Sequence, residues 1–132
     1  MLDGVWSGCV DAFGQDAFAI ATYAGNQVSL SITGWSSSDE SCTGTSMPVG
    51  GYEGTFIFGD PVSVSHGATS VIAWETETTV TADSSKFYDV IYVDDSVDPA
   101  RSYVGDMTGT QDGSSPELRP TALLPFFLTK EP

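Results

Sequence analysis

Basic residues are scarce in this sequence. Its 132 residues include 4 lysines and arginines against 18 aspartates and glutamates, a formal net charge of −14 at pH 7. Binding to nucleic acid or to an anionic membrane surface needs clustered lysine and arginine side chains. The cations are instead scattered along the chain, at Lys86, Arg101, Arg119 and Lys130. We therefore expect no nucleic-acid partner.

Long apolar runs and histidines are also rare. No apolar run reaches the roughly 18 residues that a membrane-spanning helix needs, so we expect no direct membrane insertion by this domain, and no signal peptide is visible.

His66 is the single histidine, and no second histidine or cysteine at ligand spacing accompanies it for a zinc site. No Gly-x-Ser-x-Gly motif is present, and no set of nucleophile, base and oxyanion donors can be assembled. The sequence therefore predicts a protein that is not an enzyme.

The two cysteines, Cys9 and Cys42, form an even pair. In a small chain rich in serine, threonine and glycine, such a pair is typical of one disulfide formed in an oxidising compartment. Two separate buried thiols are the alternative. A disulfide would tie the first predicted strand to a polar loop over residues 36–51.

Short strands separated by turn residues dominate the pattern. The sequence predicts eight of them, over residues 4–11, 16–24, 27–35, 52–60, 70–81, 87–93, 101–107 and 121–130. In the third strand, Val28, Leu30 and Ile32 alternate with polar residues, so one face is buried. In the fifth strand, the predicted buried face consists of Ile72, Trp74, Thr76, Thr78 and Val80. The predicted fold is all-β: a single antiparallel eight-stranded up-and-down barrel that forms one domain over residues 1–132, with a related sandwich as the alternative.

Two resemblances sharpen this expectation. The Gly4-x-Trp6 pair on the first strand resembles the start of lipocalin and calycin domains, in which the tryptophan closes one end of the barrel. In that superfamily a basic residue near the last strand packs over the tryptophan, and the candidates here are Arg119 and Lys130. The resemblance gives Trp6 a structural role, beside the structural role of Cys9 and Cys42.

The second resemblance covers most of the chain. GVWSGC, YEGTFIFGD, FYDVIYVDD, YVGD, the C-terminal DGSSPELRPTAL and the closing FFLTK are similar to a group of small uncharacterised secreted proteins or lipoproteins of Gram-negative bacteria. This resemblance implies a secreted, periplasmic or outer-membrane lipoprotein and brings no reaction with it. Members of that group often carry more cysteines and lysines, so the acidity is this chain's own feature.

Candidate ligand-binding residues follow from the barrel. An eight-stranded barrel is either filled by side chains or holds one small ligand. The candidate lining of the mouth is Trp35, Phe56, Phe58 and Tyr92, and the small Ala17, Ala19, Ala21 and Ala73 leave room inside. Arg119, stiffened by two flanking prolines, is the candidate anchor for a ligand carboxylate. The alternative for Arg119 is a structural pair with a carboxylate or a stack on Trp6.

Calcium is the one cofactor for which the sequence gives a weak signal. Asp94, Asp95 and Asp98 fall within five residues, and calcium prefers carboxylate oxygens in loops. The alternative is a set of solvated turns. The paired Glu75 and Glu77 have the spacing of an outward-facing, solvated strand face.

Two functions remain open at this point. The first is a non-enzymatic, secreted or envelope-associated binding module that holds a small apolar or amphipathic ligand in the barrel mouth. The second is a filled structural or interaction barrel, whose acidic surface meets a basic protein partner or suits a saline habitat. The sequence determines neither the ligand nor the oligomeric state.

Overall fold

The structure, a computed structural model, describes residues 2–12, 15–35, 42 and 46–132. Eight antiparallel strands form a closed barrel, in which each strand pairs with the next in the chain and β8 returns to β1. The strands are β1 (Gly4–Ala12), β2 (Gln15–Ala24), β3 (Gln27–Trp35), β4 (Ser46–His66), β5 (Thr69–Val80), β6 (Lys86–Asp94), β7 (Arg101–Val104) and β8 (Leu128–Lys130). The predicted all-β, up-and-down barrel is confirmed. The described residues include no helix that is long and apolar enough to cross a membrane.

Strand β4 is much longer than predicted, with 21 residues in place of the expected 52–60. Its pairing with β5 shifts register between Phe58 and Pro61, where Gly59 and Asp60 lie opposite Glu75. Such a bulge absorbs a proline, which has no N–H for the ladder. The sequence prediction ended this strand at Asp60, before Pro61, whereas the strand continues as far as His66.

The main core fills the barrel around Trp6, which is fully buried. Its indole Nε1 donates a hydrogen bond of 2.8 Å to the carbonyl oxygen of Leu2. The Nζ atom of Lys130 lies 5.7 Å from the centre of the indole ring. Lys130, on the last strand, is therefore the cation over the tryptophan, and Arg119 lies elsewhere. The other buried members of this core are Leu2, Ala21, Val28, Phe56 and Ile91.

A second core lies on the opposite face of β6. Because side chains alternate along a strand, Ile91 points into the barrel and Val90 points away from it. The C-terminal segment covers this outer face: Ser65 N donates to Thr121 O at 2.9 Å, and Leu123 N donates to Ser65 O at 2.9 Å. The buried members are Val64, Ala73, Val90, Tyr103 and Leu123.

The second core explains two differences from the sequence prediction. Thr76 and Thr78 of β5 are buried as predicted, but Ile72 is 61% and Trp74 39% exposed while Ala73 is 0% exposed. At this end of β5 the C-terminal segment covers the other face of the strand, so the predicted inner residues remain in solvent. The same segment shortens the last strand. Ala122 and Leu123 form isolated bridges before Pro125, and β8 begins only at Leu128.

The predicted disulfide is confirmed. Cys9 and Cys42 are bonded at an S–S distance of 2.05 Å, with a Cα–Cα distance of 5.8 Å and a separation of 33 residues. The bond anchors Cys42 to strand β1. The neighbouring residues 36–41 and 43–45 of the predicted loop lie outside the described residues.

Candidate functional site

A cavity of about 50 Å³ lies inside the barrel. A water-sized group needs roughly 10–15 Å³ of such space, so the cavity holds a few of them, whereas pockets for whole small molecules usually measure roughly 300–1,000 Å³. The interior is therefore mostly filled by side chains, and it offers space for one end of a ligand. The lining consists of Leu2, Tyr23, Val28, Tyr52, Phe56, Thr76, Thr78, Phe87, Asp89, Val90, Ile91 and Val104.

Asp89 is the one charged side chain among the described residues that line this cavity. It lies in the middle of β6, where alternation places it on the same inner face as Phe87 and Ile91. Its Oδ1 atom accepts hydrogen bonds from the backbone N–H of Val90 at 2.7 Å and of Gly105 at 3.0 Å. Its Oδ2 atom receives no hydrogen bond from the residues that the structure describes. With 7% of its surface exposed, Asp89 is a buried carboxyl group with one oxygen still able to accept.

Burial changes the acidity of this carboxyl group. Loss of solvation raises the pKa of Asp89 to about 7, although the N–H donors of Val90 and Gly105 favour the ionised form and oppose the rise. Asp89 therefore changes charge near neutral pH, which is unusual for an aspartate. A perturbed acid that lines a cavity is typical of a functional site.

Gly105 allows the backbone to approach the carboxylate. A Cβ atom at this position would lie 2.6 Å from Asp89 Oδ1 and 2.5 Å from the Cβ of Pro120, well inside van der Waals contact. Only glycine leaves room for the N–H of residue 105 to reach Asp89 while Pro120 packs against the same backbone. The carboxylate is thus held by the backbone just after β7.

Aromatic rings form much of the remaining wall. Tyr23 and Phe56 pack edge to face with their centroids 5.5 Å apart, and Tyr52 and Phe87 do the same at 5.5 Å. Burial, and to a smaller extent the nearby charge of Asp89, raises the pKa of Tyr23 to about 12, and burial raises the pKa of Tyr52 as well. Both phenols therefore stay neutral across the physiological range.

An apolar row leads from this wall to the surface. Phe58 packs edge to face on Phe56 at 5.4 Å and on Trp74 at 6.4 Å. Phe58 is 42% exposed, and Trp74 and Val104 are each 39% exposed. We call Phe58, Trp74 and Val104 the mouth patch. Because Val104 also lines the cavity, the mouth patch connects the cavity with solvent.

The structure brings together only part of the predicted ligand-binding set. Phe56 lines the cavity, and Phe58 lies next to it at the mouth. Tyr92 lies on the outer face of β6, where its ring contacts His66 at 5.8 Å and Tyr103 at 6.0 Å. The side chain of Trp35, at the end of β3, lies outside what the structure describes.

Arg119 is also on the outer face, and it is not among the described residues that line the cavity. It therefore does not anchor a ligand carboxylate there. Its Nη1 lies 3.6 Å from Glu75 Oε2, and its guanidinium carbon lies 5.3 Å from the centre of the Tyr88 ring. Its Nε is buried and has no hydrogen-bond partner in the described part of the chain. The structure thus shows the alternative that the sequence offered, a pair with a carboxylate that holds the C-terminal segment against β5.

The acidic loop does not assemble the predicted calcium site. Among the described residues, no three histidine, cysteine, aspartate or glutamate side chains approach closely enough to hold a metal ion, and this includes Asp94, Asp95 and Asp98. Asp94 instead accepts hydrogen bonds from the backbone N–H and the hydroxyl of Ser96. Those bonds lower its pKa and form a local turn of the kind that aspartate favours.

A wider groove of about 270 Å³ lies at the seam between β1 and the C-terminal segment. None of the described residues that line it carries an ionisable side chain, since Cys9 is in the disulfide. The described lining of the groove therefore has no charged side chain that could bind a charged group of a ligand. The lining consists of Ser7, Gly8, Cys9, Pro125, Phe126, Phe127 and Thr129.

Sequence reasoning missed Asp89, the residue around which this site is built. The sequence contained one indication of its position. In the strand sequence FYDVIYV, Asp89 lies on the same face as the apolar residues Phe87, Ile91 and Val93. An acid on the apolar face of a strand is a buried polar group that needs an explanation.

No protein-family model matches the chain, and no curated protein or solved structure matches it. The resemblance to lipocalins and to small secreted proteins of Gram-negative bacteria thus stays a prediction.

Proposed function

We propose that this protein is a non-enzymatic, secreted or envelope-associated binding module that holds one end of a small amphipathic molecule in the barrel cavity. The observation that supports the proposal is Asp89, whose carboxylate is buried, lines a cavity and leaves Oδ2 without a hydrogen bond from the described residues. Among the described residues, Oδ2 is not one of the fully buried polar atoms that lack a partner, so it reaches the open space of the cavity. A donor group of a ligand could replace solvent there as the hydrogen-bond partner of the carboxylate.

The sizes of the cavity and of the mouth patch favour an amphipathic ligand over a wholly apolar one. A cavity of about 50 Å³ admits a small polar head and not a lipid tail. The exposed rings of Phe58 and Trp74 offer an apolar surface just outside it, and such surfaces are typical of binding sites. The head would lie at Asp89 and the apolar remainder along the mouth patch.

The disulfide supports the proposed location. Bonds such as Cys9–Cys42 form and persist in oxidising compartments. We therefore place the protein outside the cytoplasm, as a secreted or periplasmic protein or an outer-membrane lipoprotein.

The test is a nuclear magnetic resonance titration with three probes of six carbon atoms each: hexylamine, hexanol and hexanoate. The reporters are the backbone amides of Val90 and Gly105, which donate to Asp89. We expect at least one probe to shift both amides in a saturable manner. Thr78→Leu, which fills the cavity, should abolish the shift, and Thr78→Val, which keeps the side-chain shape, should retain it. If none of the three probes shifts these amides, the proposed function is wrong.

A second candidate, a filled interaction barrel with an acidic surface, is favoured by the positions of the cations. Each of the four is already engaged within the chain: Lys86 with Glu77 at 3.5 Å, Arg119 with Glu75 at 3.6 Å, Arg101 over Phe127 at 4.3 Å and Lys130 over Trp6 at 5.7 Å. The remaining carboxylates repel one another. This candidate predicts that sodium chloride raises the melting temperature by screening and that polylysine binds in low salt. Those two results without any probe binding would favour the second candidate.

A further inference from the structure

We infer that the head group recognised by the cavity is a cationic nitrogen, the ammonium group of a small primary amine, which Asp89 holds among the rings of Tyr23, Tyr52, Phe56 and Phe87. This inference rests on the proposed function and names the chemical class of its ligand.

The hydrogen-bonding capacity of Asp89 favours a ligand that donates. An ionised carboxylate only accepts hydrogen bonds, and Oδ1 already accepts two from Val90 and Gly105. Oδ2, which receives none from the described residues, is the atom that a ligand would meet. An ammonium group carries three donors and a compensating charge. A hydroxyl group supplies a donor but leaves the buried charge unbalanced.

Charge excludes the opposite class of ligand. A carboxylate or phosphate head would face Asp89 in a protein whose formal net charge is −14. Two buried like charges repel strongly in a medium of low polarity. The same net charge attracts cations toward the barrel from a distance.

The aromatic wall favours a cation as well. Tyr23, Tyr52, Phe56 and Phe87 all line the cavity beside Asp89. The face of an aromatic ring carries negative charge density and attracts ammonium groups within about 6 Å of its centre. Such rings around a carboxylate stabilise a cation from several sides, and they give an anion no such contact.

The cavity volume selects the size of the head. About 50 Å³ accommodates an ammonium group and its first carbon atoms. A trimethylated nitrogen fills this space and leaves little for the chain that connects it to the mouth. The apolar tail would leave past Val104 and lie against Phe58 and Trp74, which are partly exposed. A primary amine with an apolar tail is therefore the preferred ligand.

The pH dependence of binding follows from the groups in the cavity. The other titratable groups in its described lining are Tyr23 and Tyr52, and burial keeps both phenols neutral. Asp89 alone changes charge, with a pKa of about 7. Because an ammonium group pairs with the ionised form, amine affinity should rise between about pH 5 and pH 8, and the affinity for hexanol should not.

The experiment is a calorimetric titration of hexylamine, hexanol, hexanoate and tetramethylammonium at about pH 8. It compares the wild-type chain with Asp89→Asn and with Asp95→Asn, which removes the same charge from an exposed loop position. We expect hexylamine to bind the wild type at least about tenfold more tightly than hexanol does. Asp89→Asn should remove that advantage, Asp95→Asn should keep it, and hexanoate and tetramethylammonium should bind more weakly than hexylamine.

Three results would overturn the inference while leaving the proposed function intact. The first is hexanol binding as tightly as hexylamine, and the second is Asp89→Asn retaining the amine affinity. The third is an equal loss in Asp95→Asn, because that would mean general attraction to an acidic surface. Binding of none of the probes would instead overturn the proposed function itself. If Asp89→Asn does not fold, the ratio of hexylamine to hexanol affinity in the wild type decides, since it must rise between about pH 5 and pH 8.

Discussion

The backbone N–H of Gly105 donates a 3.0 Å hydrogen bond to Oδ1 of Asp89. This contact joins the middle of β6 to the chain just after β7, and Pro120 packs closely against the same glycine. The carboxylate is therefore fixed by backbone atoms of two elements and not by mobile side chains. A rigid anchor of this kind keeps Oδ2 available toward the cavity without rearrangement on binding.

Asp89→Asn should flatten the pH dependence of stability. The unfolded carboxyl has a pKa of about 3.9, whereas the folded pKa is about 7. Between these values the native state holds a proton that the unfolded state has lost, so wild-type stability falls as pH rises toward about 7 and then levels off. Asparagine cannot ionise, and its Oδ1 can accept the same two N–H groups. Urea unfolding of both proteins between about pH 5 and pH 8 should show that the free energy of unfolding of the variant increases relative to that of the wild type as pH rises. A constant difference would contradict this account.

Gly105→Ala should destabilise the protein and disturb Asp89. Its new Cβ would lie 2.6 Å from Oδ1 of Asp89 and 2.5 Å from Pro120. We expect a loss of about 1–3 kcal/mol in the free energy of unfolding, typical of overpacking. The matched control is Gly109→Ala, where a Cβ meets nothing within 4 Å. Denaturant melts of the two variants give the comparison, and equal stability of both would mean that Gly105 is not required for close approach.

Lys130→Met should weaken the packing around Trp6. The variant keeps an apolar side chain of similar length but loses the positive charge that lies 5.7 Å from the Trp6 ring. We expect a cost of about 0.5–2 kcal/mol in the free energy of unfolding. Lys86→Met makes the same change of net charge at an exposed pair with Glu77 and should cost less than about 1 kcal/mol. If the two variants lose the same stability, the contact with Trp6 contributes nothing beyond net charge.

Removal of the disulfide should lower stability substantially. Cys9 and Cys42 are 33 residues apart, and the chain-entropy relation for a loop of that length gives about 3–4 kcal/mol. A Cys9→Ala, Cys42→Ala double variant, compared with the wild type by urea unfolding, measures this contribution. The reduced wild type should match the double variant. Unchanged stability in both would mean that the bridge does not constrain the unfolded chain.

The barrel could be predicted from the sequence where one face of a strand is buried along its whole length. In β3 the alternation of Val28, Leu30 and Ile32 with polar residues identified both the strand and its inner face. The partial burial pattern of β5 could not be found in this way. Thr76 and Thr78 face the barrel core, whereas Ala73 faces a core built with Leu123, which is 50 positions further along the chain. Local periodicity carries no information about such a distant cover.

The candidate site was predicted only in part for a similar reason. Phe56 and Phe58 could be placed at the barrel mouth from the spacing of aromatics. Tyr92 was assigned to the mouth and Arg119 to a ligand carboxylate, but alternation along β6 places Tyr92 on the outer face, and Arg119 of the C-terminal segment pairs there with Glu75. Asp89 could have been found, because an acid in phase with buried apolar residues is visible in the sequence. Its pairing with Gly105 depends on strand order and required the structure.

The most direct test of the account is the titration of Asp89 itself. The amide resonance of Gly105, whose N–H donates to this carboxylate, would be followed from about pH 4 to pH 9, with and without saturating hexylamine. We predict a midpoint near the pKa of about 7, and a lower midpoint with the amine because the ammonium group stabilises the ionised form. A midpoint near about 4, unmoved by hexylamine, would contradict both the buried carboxylate and its role in binding.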